Sequence, residues 1–144
     1  MSVNLVTFSP NTIMSSTDVN SNFSGIASQV RPTFTFTITG SLTVGTNMTP
    51  ALVVPLALTI EKAYAYVKTA PVGADILIDI NKNGTSIWAT NQANRLDIVA
   101  GNNTDTSSSF DTTALAESDY LTIDLDEVGS STAGSDLTVA LKCS

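Results

Sequence analysis

The sequence predicts an all-β protein, an antiparallel β-sandwich of about eight strands preceded by a short helical or extended segment. Three observations carry that expectation. Apolar and polar residues alternate with period two in several separate stretches, the mark of half-buried strands. Only 13% of residues are charged, so the polar surface falls largely to Thr, Ser and Asn, which avoid helix interiors and suit strands and turns. A helical pattern occurs once, near the N-terminus. At 144 residues the chain can form one domain with a real core.

The elements follow in order. In residues 1–31, Val19, Phe23, Ile26 and Val30 recur at spacings of four, three and four, which aligns them on one face of a helix of about four turns. Ser15 or Ser16 can cap its start, and Asp18 suits its first turn. Asn, Ser and Gly25 are poor helix formers, so the helix needs a partner to persist. That partner is its own domain, a neighbouring protein or copies of itself; without one the segment is disordered. Arg31-Pro32 ends the segment, because proline disfavours helix in the residue before it. The chain thus divides into an N-terminal anchoring or oligomerisation segment, 1–31, and a sandwich, 32–144.

From Thr33 to Val44 the alternation is nearly strict, with Phe34, Phe36, Ile38, Leu42 and Val44 on one face and threonines on the other; Gly40 is a candidate bend. Gly45 to Pro50 reads as a loop, and Pro55 demotes 52–58 to an edge or irregular piece. Leu58 and Ile60 set one phase, whereas Ala63, Ala65 and Val67 set the opposite one. A β-bulge near Glu61-Lys62 restores all five to one face. In 74–90, Ala74, Ile76, Ile78 and Ile80 face the core and Asp75 and Asp79 face away. Asn83-Gly84 supplies a type I′ turn, after which Ile87 and Trp88 begin a return strand. Leu96 and Ile98 form a short strand, NNTDTSSS a polar loop, and Gly129 to Gly134 another loop. Tyr120 to Glu127 alternates with Leu121, Ile123 and Leu125 inward, and Leu137 to Cys143 closes the domain. Eight strands suit a Greek-key or jelly-roll arrangement.

Composition excludes much chemistry. A net charge of −7 with six basic residues argues against a nucleic-acid partner. No stretch has the roughly 18 apolar residues of a membrane span, and MSVNLVTFSP lacks the basic start and apolar run of a signal peptide, so the expectation is a soluble chain made in the cytoplasm. Histidine is absent, which removes Ser-His-Asp, Cys-His and imidazole-metal sites. Asp79-Ile80-Asn81-Lys82-Asn83-Gly84 matches the opening of a calcium loop, yet its twelfth position is Thr90 rather than glutamate; the hairpin accounts for every residue more simply. The pairs Asp75/Asp79 and Asp124/Asp126 sit at i,i+4 and i,i+2 on polar strand faces, where solvated acids are expected rather than a hydrolytic pair. Neither a cofactor nor a metal is expected. The single cysteine, Cys143, continues the apolar face of Leu137, Val139 and Leu141 and reads as a small buried hydrophobe.

The runs Leu58-Thr59-Ile60-Glu61, Ala70-Pro71-x-Gly73-Ala74, Asp79-Ile80-Asn81-x-Asn83-Gly84 and Val128-Gly129-x-x-x-Ala133-Gly134-x-Asp136-Leu137 resemble the small jelly-roll domain found in structural proteins of tailed bacteriophages. The likeness covers roughly residues 38–143. Where that family commonly has Gly-Asp before the penultimate strand, this chain has Ser118-Asp119, so that loop is expected to differ. SPNTIMSSTDVNSNFSGI resembles N-terminal segments that fasten such proteins to the virion. The resemblance implies a non-enzymatic virion protein, homotrimeric, decorating the capsid or forming a head fibre, with the major capsid protein or tail proteins as partners. The alternative is a tail-fibre or receptor-binding component that recognises a host-surface glycan. Exposed Tyr64, Tyr66 and Trp88 would favour the alternative, although core or interface packing also explains each.

Overall fold

The computed structural model describes residues 15–27 and 31–144, with residues 18 and 24–27 described by backbone alone. A helix, α1 (Ser16–Ala27), precedes ten strands: β1 (Thr33–Ser41), β2 (Leu52–Val53), β3 (Leu58–Thr69), β4 (Ile76–Lys82), β5 (Thr85–Ser86), β6 (Leu96–Ile98), β7 (Thr104–Ser107), β8 (Ala114–Leu115), β9 (Tyr120–Glu127) and β10 (Ser135–Cys143). A 3-10 turn, Gln92–Asn94, sits between β5 and β6. The expected helix thus forms over 16–27, opened by the Val19 amide donating to the Ser15 carbonyl.

Among the described residues every strand pairing is antiparallel. One sheet runs β1-β10-β3-β7, with β8 also on β3; the other runs β2-β9-β4-β5, with β6 also on β4. β7 meets residues 63–66 of β3 and β8 meets residues 58–59. β5 and β6 likewise divide one edge of β4. The ten strands therefore fill eight positions, four in each sheet, and the chain crosses between sheets repeatedly.

The core lies between them. Ile76, Ile78, Ile80, Leu121, Ile123, Leu125, Leu137 and Val139 are all within 1% of complete burial, on the faces that their alternation predicts. Fully burying one such side chain contributes about 1.5–3 kcal/mol, so the shared phase of three strands sets the inner layer. β3 keeps Leu58, Ile60, Ala63, Ala65 and Val67 buried because its register with β10 slips between Ile60 and Lys62. Glu61 is the extra residue, at the expected bulge. Asn83 and Gly84 have φ of 52° and 81°, the left-handed pair that a type I′ turn requires. Gly129 is required by space: a Cβ there would lie 1.8 Å from the Thr132 carbonyl oxygen and 2.8 Å from the Val72 nitrogen.

Several expectations are corrected. β1 ends at Ser41, and Val44 is exposed rather than buried; a register shift between Ile38 and Ser41 breaks the strand's alternation first. The return strand after the turn stops at Ser86. Ile87 and Trp88 instead turn into the core at 0% exposure, where the indole nitrogen of Trp88 donates to the Ser109 carbonyl (2.7 Å). The Phe110 ring packs beside it at 5.4 Å. Asp111 secures this excursion by accepting from the Thr90 amide (2.7 Å), the Asn91 amide (2.9 Å) and the Asn91 side chain. These bonds hold its carboxyl below the ordinary carboxylate range, the Asn91 side chain most strongly. The stretch read as the polar loop NNTDTSSS contains β7. As the outermost strand of its sheet, it sets Asp105 and Ser107 opposite Ala65 and Ala63, so no apolar alternation announces it.

Candidate functional site

Of the predicted attachment residues, Val19 is half-buried and Phe23 is 67% exposed. The Ile26 side chain and all of Val30 lie outside the described residues. An exposed phenylalanine on a helix built from weak helix formers presents apolar surface that water does not favour.

The second candidate surface is the outer face of the first sheet. Ala63, Ala65 and Val67 point inward, so Lys62, Tyr64, Tyr66 and Lys68 alternate outward along β3. Strand register then assembles rows across the sheet. Thr37, Thr138, Tyr66 and Thr104 form one row, and Thr35, Ala140, Tyr64 and Thr106 the next. Thr33, Lys142 and Lys62 form a third. The small Ala140 keeps the floor low between taller neighbours. The result is a shallow groove of about 270 Å³, open to solvent and lined by the two tyrosines, three threonines, Ala65, Ala140 and, at its edge, Asp105. Tyr64 and Tyr66 are 39% and 51% exposed. Lys62 Nζ lies 5.0 Å from the centroid of the Tyr64 ring, within range of a cation–π contact. At the bulge, Glu61 pairs with Arg31 and, at 3.0 Å, with Lys142. The Lys142 bond is the main cause of a carboxyl held below its usual range.

The outer face of the second sheet is acidic, and most of its carboxylates are engaged within the fold, although Asp97 Oδ1 and Thr122 Oγ1 are buried without a hydrogen-bond partner. Asp79 stands opposite Asp124 across β4 and β9. It is 7% exposed, a correction to the expectation of a solvated acid. Burial raises its carboxyl above the ordinary value, although the Ser86 hydroxyl donates to it at 2.7 Å. Asp124 accepts from Asn81 Nδ2 (2.9 Å) and from the Asn47 amide (2.7 Å), and Asp126 pairs with Arg95. Asp75 accepts from the Ala100 amide (2.7 Å). Asp97, half-buried in the same layer, is also raised, first by desolvation and then by the charge of Asp75. The four carboxylates of these two pairs thus serve as hydrogen-bond acceptors or ion-pair partners within the fold.

The calcium-like run resolves the same way. Asp79 accepts from Ser86, Asn81 donates to Asp124, and Asn83 Nδ2 donates to Asp119 Oδ1 (2.7 Å) while its own oxygen accepts from the Tyr120 amide (2.9 Å). These side chains diverge to separate partners instead of converging on one point. Among the described residues no group of three His, Cys, Asp or Glu side chains is arranged to hold a metal.

The remaining singled-out residues are structural. Trp88 is buried, which removes it from the exposed aromatic candidates. Asp136 accepts the Gly40 amide at 2.8 Å and steadies the irregular end of β1. Asp119 accepts the Ala116 amide at 2.8 Å, lies 3.5 Å from Lys82, and is held below its usual range chiefly by the Ala116 bond. Sequence reasoning missed Thr104, Thr106, Thr138 and Ala140 as lining of the tyrosine groove. Their signal is a polar period-two pattern that acquires meaning only once the strands are paired. Compared with known protein families and with curated proteins, the chain matches none.

Proposed function

We propose that this chain is a non-catalytic structural protein of a bacteriophage virion, a capsid decoration or head-fibre protein. It is fixed to the particle through residues 1–31, projects its sandwich outward and acts as a homotrimer. At the finer level we read the fold as a jelly roll. With the eight strand positions numbered in chain order, the sheets run 1-8-3-6 and 2-7-4-5, the order of nested Greek keys, which supports the resemblance. The four runs that carry that resemblance lie at a bulge, a turn, a hairpin and a loop, as expected of motifs that specify architecture.

The observation that carries the attachment reading is Phe23, 67% exposed on a helix that precedes a sandwich whose core closes from residues 36–143. The second reading, a tail-fibre or receptor-binding component, is favoured by the exposed pair Tyr64 and Tyr66. Deleting residues 1–31 tests the first. The truncated protein should keep a β-type circular dichroism spectrum and lose binding to particles stripped of it. Phe23→Asp should do the same, since a carboxylate does not bury unpaired at a packed interface. Full-affinity binding by the truncated protein would assign attachment to the sandwich and end this reading.

A further inference from the structure

We propose that the open edge of β1 is a pairing surface for β1 of a second copy of this chain. The two strands run antiparallel about a two-fold axis, so that the first sheets of both copies join. The edges of the sandwich are unequal. Three of the four are built from pieces of two to four residues: β2 on one, β5 and β6 on another, β7 and β8 on a third. Short edge strands deter pairing with another chain. β1 is nine residues long, and its sequence TFTFTITGS holds no charge and no proline. It ends its sheet with β10 as its one strand partner among the described residues. Charge, proline and shortness, the usual devices against edge pairing, are all missing from it.

Register identifies the unused backbone groups. The Cys143 amide donates to the Pro32 carbonyl at 2.8 Å, and the pairing continues with Phe34 opposite Leu141, Phe36 opposite Val139 and Ile38 opposite Leu137. Hydrogen-bonded pairs alternate along an antiparallel ladder. Phe34, Phe36 and Ile38 therefore bond to β10, and the amides and carbonyls of Thr33, Thr35 and Thr37 point off the open edge. Donors and acceptors at that spacing are matched by another extended strand. A second β1 matches them with Thr35 opposite Thr37 and Phe36 at the axis, each threonine pair exchanging both its bonds. The same register sets Phe34 opposite Ile38. Both are only half-buried, whereas Phe36 between them is 3% exposed. Across the axis each covers the other, an aromatic–β-branched pair of the kind that stabilises sheets, and the outward threonines pair likewise. A foreign strand would have to bring this alternation; β1 already carries it. The two-fold contact uses the same patch on both copies and closes at two instead of growing into a fibre.

The contact is separate from the proposed trimer and joins copies in pairs, giving a dimer of a monomeric chain or a hexamer of a trimeric one. Edge pairing alone covers less than the roughly 800 Å² per partner of a standard interface, so its population depends on concentration. Sedimentation of the full-length chain, diluted from about 100 μM to about 1 μM, should show a species of even copy number that dissociates to half its mass. The Thr33, Thr35 and Thr37 amides should be protected from hydrogen exchange in that species and lose protection as it dissociates. Thr35→Pro removes an edge N–H that β10 does not use, at the kind of edge position where strands accept proline. It should halve the mass at the higher concentration with circular dichroism unchanged. Thr35→Lys with Thr37→Lys, at two exposed positions, sets like charges directly opposite across the axis and should do the same without altering the backbone. A halved species of three copies would keep the trimer reading and one of a single copy would end it, while the pairing stands in both cases. Wild-type protein of one or three copies throughout the dilution would overturn the pairing, as would a double lysine variant of undiminished mass. Edge-amide protection that does not change with dilution would also overturn it, by assigning the edge to a segment of the same chain.

Discussion

Cys143 should make this protein lose stability on the alkaline side. The thiol is fully buried, beside the β3–β10 bulge, and burial, reinforced by the charge of Glu61, pushes its pKa from 9.0 up to about 11. The folded state therefore holds the thiol proton more tightly than the unfolded chain does. The resulting stability is present in full below pH 9 and lost progressively as pH rises through about 11. The gap between 9.0 and about 11, at about 1.4 kcal/mol per pH unit, amounts to about 3 kcal/mol. Tyrosines and lysines also titrate in this range, so the informative quantity is wild type minus Cys143→Ala. The alanine variant should lose about 1 kcal/mol at neutral pH from the vacated volume, and its deficit should vanish and then reverse toward pH 11. Urea denaturation at half-unit steps from pH 8 to 11, followed by circular dichroism, measures both curves. A wild-type-minus-variant difference that stays flat across pH 9 to 11 would refute the burial argument. Rapid labelling of Cys143 by a thiol reagent in the native protein at pH 8 would refute it too.

Two further outcomes test the fold itself. Ile78→Ala, in the centre of β4 at 0% exposure, should cost about 2–5 kcal/mol in urea denaturation; a loss under about 0.5 kcal/mol would mean that the face assignment is wrong. Ser118 holds a φ of 70°, the left-handed region that costs a non-glycine residue about 1–2 kcal/mol. Ser118→Gly should relieve that cost and raise the melting temperature, whereas a lower one would indicate that the serine side chain contributes more than its backbone strain removes.

Ser118 also marks how far a local reading of residues reaches. The Ser118-Asp119 departure from the resembled Gly-Asp pair suggests a different loop. The backbone there nevertheless adopts a glycine-like conformation, with the Ser118 amide bonded to Val54 and the Asp119 amide to Ala116. Hydrogen bonds, one of them to the distant residue that follows β2, outweigh the local cost of a side chain at positive φ, and no local reading weighs them.

The sequence by itself determined the strands whose apolar residues alternate, including the Ile76–Ile80 face, the bulge at Glu61 and the Asn83-Gly84 turn, because each rests on residues within a few positions of one another. It also determined the buried fate of Cys143. Tertiary structure alone decided which strands are neighbours, because antiparallel partners such as β1 and β10 meet across about a hundred residues. It made a strand of Thr104–Ser107 through the free edge of β3 and buried Trp88 by stopping β5 after two residues. It shielded Asp79 behind Ser86 and the opposite strand. The tyrosine groove belongs to both: alternation put Tyr64 and Tyr66 on an outward face, and long-range register supplied the threonines and Ala140 that shape it. Side-chain direction is a property of a residue and its immediate neighbours, whereas a surface is a property of strands brought together, and the sequence does not encode that juxtaposition locally.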